Sequence, residues 1–462
     1  MADQGESRKI GRAIPGNMKE LRLGFWKRLM PIIIVQIYLS FTVFLFEFGP
    51  WKYPFEDKFW LYAFLASAQA ALFLGYLFGI RREPRGYGGR WKIPRLALVS
   101  AVISLALYAP TALWRVGTIF PQVGSAVRDL GAAYAEHGFG AVREGSLVVV
   151  EYIRIVCGPF LAMVLPLTVF YWDELSRSLR LMGLLSVAGT VAITISMGTN
   201  KMLADTVGVT VALLVASLAA KRIKVTLLKK AGLVLFVVAA MIGMALFFGA
   251  TQLTRRGPAT MGLLPGTDIK ADYDNFLVKE LPEKGQSVIL GVCSYISHGY
   301  FGLYATMQQP FVPMFGIGNS IFLCRHAYRI TGNEVFLKGA YPFRISYVGW
   351  SAENYWFTIY PWIASDVSFP GTIIIVFFLG QIFALSWLDT LRGDNPFAVA
   401  FFGQMTIVFM YFPANNQCLQ YGEGFFAFFT LLGFWLFTRR KSRRATELPL
   451  SATRKGGNGD GV

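Results

Sequence analysis

Five cations and three proton-handling groups stand out in a chain that is otherwise largely apolar. Arg154 falls at the start of an apolar run, and Lys201 lies in the polar turn MGTNKMLAD. Arg325, Arg329 and Arg344 lie in the long polar stretch from about 251 to 370. A guanidinium fork grips phosphate oxygens in pairs and an ammonium adds a compact point charge, so the set suits a phosphate-bearing ligand. His298, Glu353 and Asp366, in the same polar stretch, are the groups able to move a proton. Glu353 stands between Trp350 and Trp356, where partial desolvation makes a carboxylate a better base.

Each residue also has a plainer reading. Arg154 is three residues from Glu151, on one helical face, and the two can form a structural pair. Lys201 can belong to an ordinary hairpin turn, although few outer turns carry a lysine and Asp205 follows one helical turn on. Arg325 and Arg329, four apart, make one basic helix edge or pair with Glu334 and solvent. His298 in SYISHGY can be a packing histidine, Glu353 can bridge to an arginine, and Asp366 can cap the helix that follows.

The elements that hold these residues are apolar spans. The 462 residues are 54% hydrophobic and only 15% charged, which excludes an ordinary soluble domain. The net charge of +17 gathers in the N-terminal tail, the turns 81–95 and 221–230, and the tail from Arg439. The 251–369 stretch is nearly neutral, with nine basic and eight acidic residues. Basic clusters in alternate loops follow the positive-inside rule and lack the groove of a nucleic-acid binder, so no nucleic-acid partner is expected. Four cysteines without metal-ligand spacing read as buried thiols, with a Cys293–Cys324 pair as the alternative.

The predicted fold is therefore an all-α polytopic membrane protein of about ten transmembrane helices (ten to twelve), with both termini cytosolic. A basic tail (1–28) precedes a bundle of seven spans (29–250), the seventh at Ala231–Ala250. A long outer loop (251–370) carries the candidate chemistry, three spans follow (371–438), and a basic tail (439–462) closes the chain. Residues 287–305 are apolar enough to enter the membrane, with 311–323 returning, which is why the count reaches twelve. The segment VRDLGAAYAEHGF reads as a short helix on the outer surface.

Four motifs carry a resemblance: GTNKMLAD after a span, SYISHGYFGLY, the glycine pair of MFGIGNS, and ENYWFTIYPWIASDVSFPG leading into a span. Together, over about 150–430, they resemble the Wzy-type polymerases of oligosaccharide repeat units, relatives of the O-antigen ligases. Ligase-type relatives usually carry Arg in the turn where this chain has Lys201. They also tend to have His-Asn where it has Glu353-Asn354, so the likeness leans away from the ligase branch.

The resemblance implies a polyprenyl-diphosphate-linked oligosaccharide substrate, polymerised on the periplasmic face of a bacterial inner membrane. It further implies a bilayer setting, and a flippase and chain-length regulator as partners. No cofactor or metal is expected. In that scheme Glu353, His298 and Asp366 are the catalytic candidates, and Arg154, Lys201, Arg325, Arg329 and Arg344 hold the diphosphate. A ligase acting on lipid A core and a transporter or flippase of lipid-linked sugars are the alternatives.

Overall fold

A computed structural model describes residues 24–138, 147–222, 262–264, 267–352 and 354–440, with isolated positions between 232 and 243. The first half comprises α1 (Phe25–Phe48), α2 (Phe59–Ile80), α3 (Ile93–Ala106), α4 (Tyr108–Val116), α5 (Val123–Arg128), α6 (Leu130–His137), α7 (Val148–Phe170), α8 (Arg177–Ser196) and α9 (Lys201–Ala219). The second half comprises α10 (Glu283–Ser297), α11 (Gly299–Met307), α12 (Ile321–Thr331), α13 (Val335–Lys338), α14 (Tyr341–Arg344), α15 (Tyr360–Arg392), α16 (Pro396–Met410) and α17 (Gly422–Thr438). Among the described residues, eight helical runs, α1, α2, α3–α4, α7, α8, α9, α10–α11 and α15, are long and apolar enough to cross a bilayer. Helices α16 and α17 are apolar but shorter. The 15 residues of α16 span only about 22 Å, and almost all of them are buried, so protein rather than lipid surrounds this helix. The chain is an all-α polytopic membrane protein.

Contacts between loops sort the helix ends onto two faces. On one, Gly86–Tyr87 (β1) pairs antiparallel with Arg439–Arg440 (β2), and the Gly88 amide donates to Thr438 O at 2.8 Å. Arg28 donates to Ile80 O, Lys27 to Ala219 O, and Arg222 to Gly393 O while pairing with Glu174. Arg81, Arg82, Arg85, Arg90, Lys92, Lys221, Arg222, Arg439 and Arg440 gather on this face, so we call it the basic face. Asp389, fully buried at the end of α15, anchors it by accepting from the Arg85 amide (2.8 Å), the Trp435 indole (2.9 Å) and Arg439 Nε (2.5 Å).

The opposite, loop face is a layer built from residues 49–58, 117–137, 197–200, 262–264, 267–352, 354–359 and 411–421. Its parts are tied by Lys52 N to Lys270 O (3.2 Å), Phe357 N to Ala414 O (3.0 Å), Ile359 N to Phe412 O (3.0 Å) and Asn416 Nδ2 to Asn319 O (3.0 Å). The chain is on the basic face at Arg222 and on the loop face at Leu263. Apart from isolated positions, the expected span Ala231–Ala250 lies outside the described residues, as do the tails 1–23 and 441–462. The described ends meet on the basic face, because Arg28 and Arg439 both bind its 80–88 connection.

Within the region expected as a loop from 251, the described residues form five helices, α10 to α14, and the region ends earlier than its apolar pattern suggests. Helix α15 starts at Tyr360, ahead of the expected Gly371, and bends at Ser368, whose φ is 63°. Pro370 lacks an N–H and its ring crowds the carbonyl four residues back, which breaks the helix locally without ending it. The α10–α11 run has the length of a span, yet Leu290 O accepts from the Trp51 indole and the Tyr304 hydroxyl accepts from the Glu56 amide. Both halves of the run thus touch one short loop, and the run packs against the loop face. Its bend at His298 dips until Tyr300 reaches Thr42 of α1 (2.8 Å). The expected surface helix is found as α5 and α6, the latter capped by the Asp129 carboxylate on Ala132 N at 2.9 Å.

Close helix packing rests on small residues, as lipid offers no hydrophobic drive between spans. Gly75 and Gly79 of α2 and Gly380 of α15 let the two backbones touch. A Cβ at Gly75 would stand 1.9 Å from Phe377 O, and one at Gly380 would stand 2.2 Å from Leu72 O.

Candidate functional site

A cavity of about 300 Å³ opens between α3–α4, α7, α8, α9, α16 and α17, beneath the loop layer. Its charged lining is Arg115, Arg154 and Lys201 against Glu151, Asp205 and Glu423. Gln404, Gln417 and Thr111 add neutral polar groups, and the rest is mostly aliphatic. Arg154 stands in the second turn of α7, Lys201 and Asp205 in the first two turns of α9, and Glu423 in the first turn of α17. All the charges therefore lie near the loop-face ends of their helices, where a charge costs less than the roughly 2.5–3.5 kcal/mol of the bilayer centre.

Local sequence explains the arrangement. Pro110 crowds the carbonyl of Ala106, four residues before it, and the α3 helix breaks at Leu107. Helix α4 then carries Thr111 and Arg115 to the cavity. In the α8–α9 turn, Gly198 has φ +68° and passes so close beneath α6 that a Cβ would stand 2.5 Å from Tyr134 N. That turn delivers Lys201 at the first residue of α9, a helix start with no side-chain cap, where the dipole favours anions.

The Arg154 partner is not Glu151. Its guanidinium grips Glu423, with Nη2 donating to Oε1 (3.0 Å) and Oε2 (2.7 Å) and Nε to Oε2 (3.0 Å), while Nη1 donates to Thr111 Oγ1 (3.0 Å). Glu151 is exposed at the rim. Lys201 pairs with Asp205, and its Nζ lies 5.5 Å from the centre of the Tyr411 ring. Asp205 is 5% exposed, and its Oδ1 is buried with no hydrogen-bond partner. The Tyr411 hydroxyl lies beside that carboxylate and interacts with it.

Of the five cations read from the sequence, the structure brings Arg154 and Lys201 together in this cavity. Arg325 is exposed at its edge, within electrostatic reach of Tyr421, which Lys201 and Arg115 also influence. Arg329 is exposed on the next turn of α12, and the expected partner Glu334 pairs with Lys338 (2.5 Å). Arg344 lies elsewhere, donating to Pro310 O at 2.5 Å and stacking over Tyr341 (4.7 Å), as a strut of the loop layer.

The proton-handling candidates separate too. His298 is 1% exposed: its Nε2 accepts from the Trp356 amide (2.9 Å), its Nδ1 faces Ser294 Oγ (3.4 Å), and Trp350 and Tyr355 pack on its ring. Asp366 does not cap the helix that follows. It lies inside α15 and accepts from the amides of Gly316 (2.8 Å), Gly318 (2.9 Å) and Asn319 (3.0 Å) and from Asn319 Nδ2 (2.7 Å). Its four donors make it the post that fastens the MFGIGNS loop. Glu353 lies outside the described residues.

The cysteines are unbonded, and burial pushes the Cys324 and Cys418 thiols up to about 12. The expectation of no metal rested on the lack of an Asp-x-Asp pair in this region, yet Asp272 and Asp274 have that spacing. Asp272 is paired with Lys52 (3.2 Å) in the 49–58 layer and does not line the cavity. Among the described residues, no three His, Cys, Asp or Glu side chains gather as metal ligands.

Asp205, Glu423 and Arg115 complete the site and were not singled out as site residues from sequence. An i,i+4 reading from Lys201 reaches Asp205, but nothing local links Arg154 to a glutamate 269 residues away. Comparison with protein-family models, with curated proteins and with solved structures finds no match to this chain.

Proposed function

We propose that this protein is a membrane glycosyltransferase that polymerises polyprenyl-diphosphate-linked oligosaccharide repeat units. The observation that carries the reading is the convergence of Arg154 and Lys201, on different helices, in one cavity beneath the loop layer. With the basic face in the cytosol, as the positive-inside rule requires, the cavity opens at the outer surface of a bacterial inner membrane. The polyprenyl tail would lie in lipid beside the bundle, the diphosphate at the cavity, and the sugars against the aromatic-rich layer above.

The chemistry follows from that placement. An acceptor hydroxyl of one lipid-linked unit attacks the anomeric carbon of another. The new carbon–oxygen bond forms as the bond to the diphosphate breaks, the electron pair leaves on the diphosphate, and the hydroxyl proton goes to a base. Arg115, Arg154 and Lys201 stabilise the charge that grows on the leaving group. A flippase would supply the substrate and a chain-length regulator would act on the product.

A transporter of the same lipids is the second reading, favoured by charged pairs inside the bundle. Those pairs sit in the first two turns of α7, α9 and α17, away from mid-membrane, which fits a site at one surface better than a path across. Purified protein mixed with lipid-linked repeat units separates the readings. A ladder of products supports polymerisation, one unit added to lipid A core indicates a ligase, and the absence of a covalent product refutes both.

A further inference from the structure

We infer that Asp205 is the general base of this site, unmasked when Lys201 leaves it for the donor's diphosphate; this rests on the glycosyl-transfer reading above. The cavity lining carries three cations and three carboxylates, so without ligand it is electrically balanced. A diphosphate brought into it meets no net positive charge until a resident pair opens.

The geometry selects which pair. Arg154 is held by three hydrogen bonds to Glu423 and a fourth to Thr111, and opening that fork forfeits all of them at once. Lys201 holds Asp205 through a single ammonium on a flexible four-carbon stem, which can turn to a new anion without moving its helix. The uncapped start of α9 receives the same anion.

The geometry also separates the three carboxylates. Both oxygens of Glu423 are taken by Arg154, and Glu151 is exposed to solvent. Asp205 alone among them is 5% exposed and has an oxygen, Oδ1, with no hydrogen-bond partner. A pair placed there for stability alone has little justification, because desolvating two charges offsets most of their attraction.

Ligand entry then couples the two roles. Lys201 swings to the diphosphate, and Asp205 is left without its cation, its Oδ1 open to the acceptor hydroxyl. The acceptor hydroxyl supplies it: its proton passes to Asp205 Oδ1, its oxygen bonds the anomeric carbon, and the diphosphate departs with the electron pair onto Lys201 and Arg154.

The test uses the full-length protein in detergent or nanodiscs, with lipid-linked repeat units as donor and acceptor. Asp205→Asn should lower kcat at least about a hundredfold, with the donor KM within about threefold of wild type. Asp205→Ala should regain rate in added sodium formate, a small carboxylate that the cavity admits. Lys201→Ala should raise the donor KM. Retention of more than a tenth of the wild-type rate by Asp205→Asn overturns the assignment, as does a matched loss in KM and stability without formate rescue. If wild-type protein makes no product at all, the glycosyl-transfer reading falls and the base assignment falls with it.

Discussion

Arg154 of α7 and Glu423 of α17 form a forked ion pair, with their closest contact at 2.7 Å, joining helices that enter the bundle 269 residues apart. The pair closes one side of the cavity and fixes the guanidinium where a second anion can approach. Its side chains are 15% and 36% exposed, so it belongs between a fully buried pair and a surface one.

That intermediate setting gives a measurable coupling. Arg154→Met and Glu423→Gln should each destabilise the protein, and the double variant should lose less than their sum. The interaction energy from a double-mutant cycle on chemical unfolding in detergent should be about 1–2 kcal/mol. Additive losses would mean that the fork is not maintained in solution. Arg154→Lys should keep the charge but reduce transfer at least about tenfold, as an ammonium cannot replace the fork.

Asp366 should behave as a structural residue. Asp366→Ala strips an acceptor from three amides and one side chain, at a cost of about 2–4 kcal/mol. Hydrogen exchange should speed up selectively at Gly316, Gly318 and Asn319. Unchanged protection there, with transfer abolished, would return Asp366 to the catalytic role read from sequence.

The α2–α15 contact offers a packing test. Gly75→Leu places side-chain atoms where Phe377 O now stands, and overpacking of this kind costs about 1–3 kcal/mol or more. Gly433→Leu on α17, with nothing within 4 Å of its Cβ position, should unfold at the wild-type midpoint. Equal midpoints for both variants would contradict the close approach.

Topology is open to thiol labelling in intact cells. In a cysteine-free background, Lys270→Cys on the loop face should react with an impermeant maleimide, and Glu83→Cys on the basic face should not; the reverse pattern would invert the orientation. In the native background, Cys324 and Cys418 should label slowly near neutral pH. Burial holds both thiols at about 12, so little thiolate is present until the protein is denatured.

What sequence reveals here follows the strength of each physical signal. Apolar runs of span length have few alternatives, and α1, α2, α7, α8 and α9 lie close to where their composition puts them. The short helices α13 and α14 were hidden because such segments take their stability from tertiary contact, which a single sequence does not display. Tyr360 was missed as a helix start because Pro370 reads as a boundary, whereas the helix survives it as a bend at Ser368. Lys201 was legible from its oddity in an outer turn, and Arg154 from its place in a span. Glu423 was not, because an acidic residue after a loop is unremarkable until its distant partner is known. His298 and Asp366 stood out for their chemistry, yet the structure engages each with backbone amides.

The central claim is that the cavity beneath the loop layer holds the lipid diphosphate. A polyprenyl diphosphate with a photoactivatable group beside the diphosphate, irradiated with the purified protein and mapped by mass spectrometry, tests it most directly. The account predicts adducts on α7 and α9, at residues such as Leu165, Met202 and Thr206 that line the cavity. Labelling should fall at least tenfold in an Arg154→Ala, Lys201→Ala double variant. Adducts confined to 325–344, unchanged in that variant, would contradict it and place the diphosphate on the outer arginines.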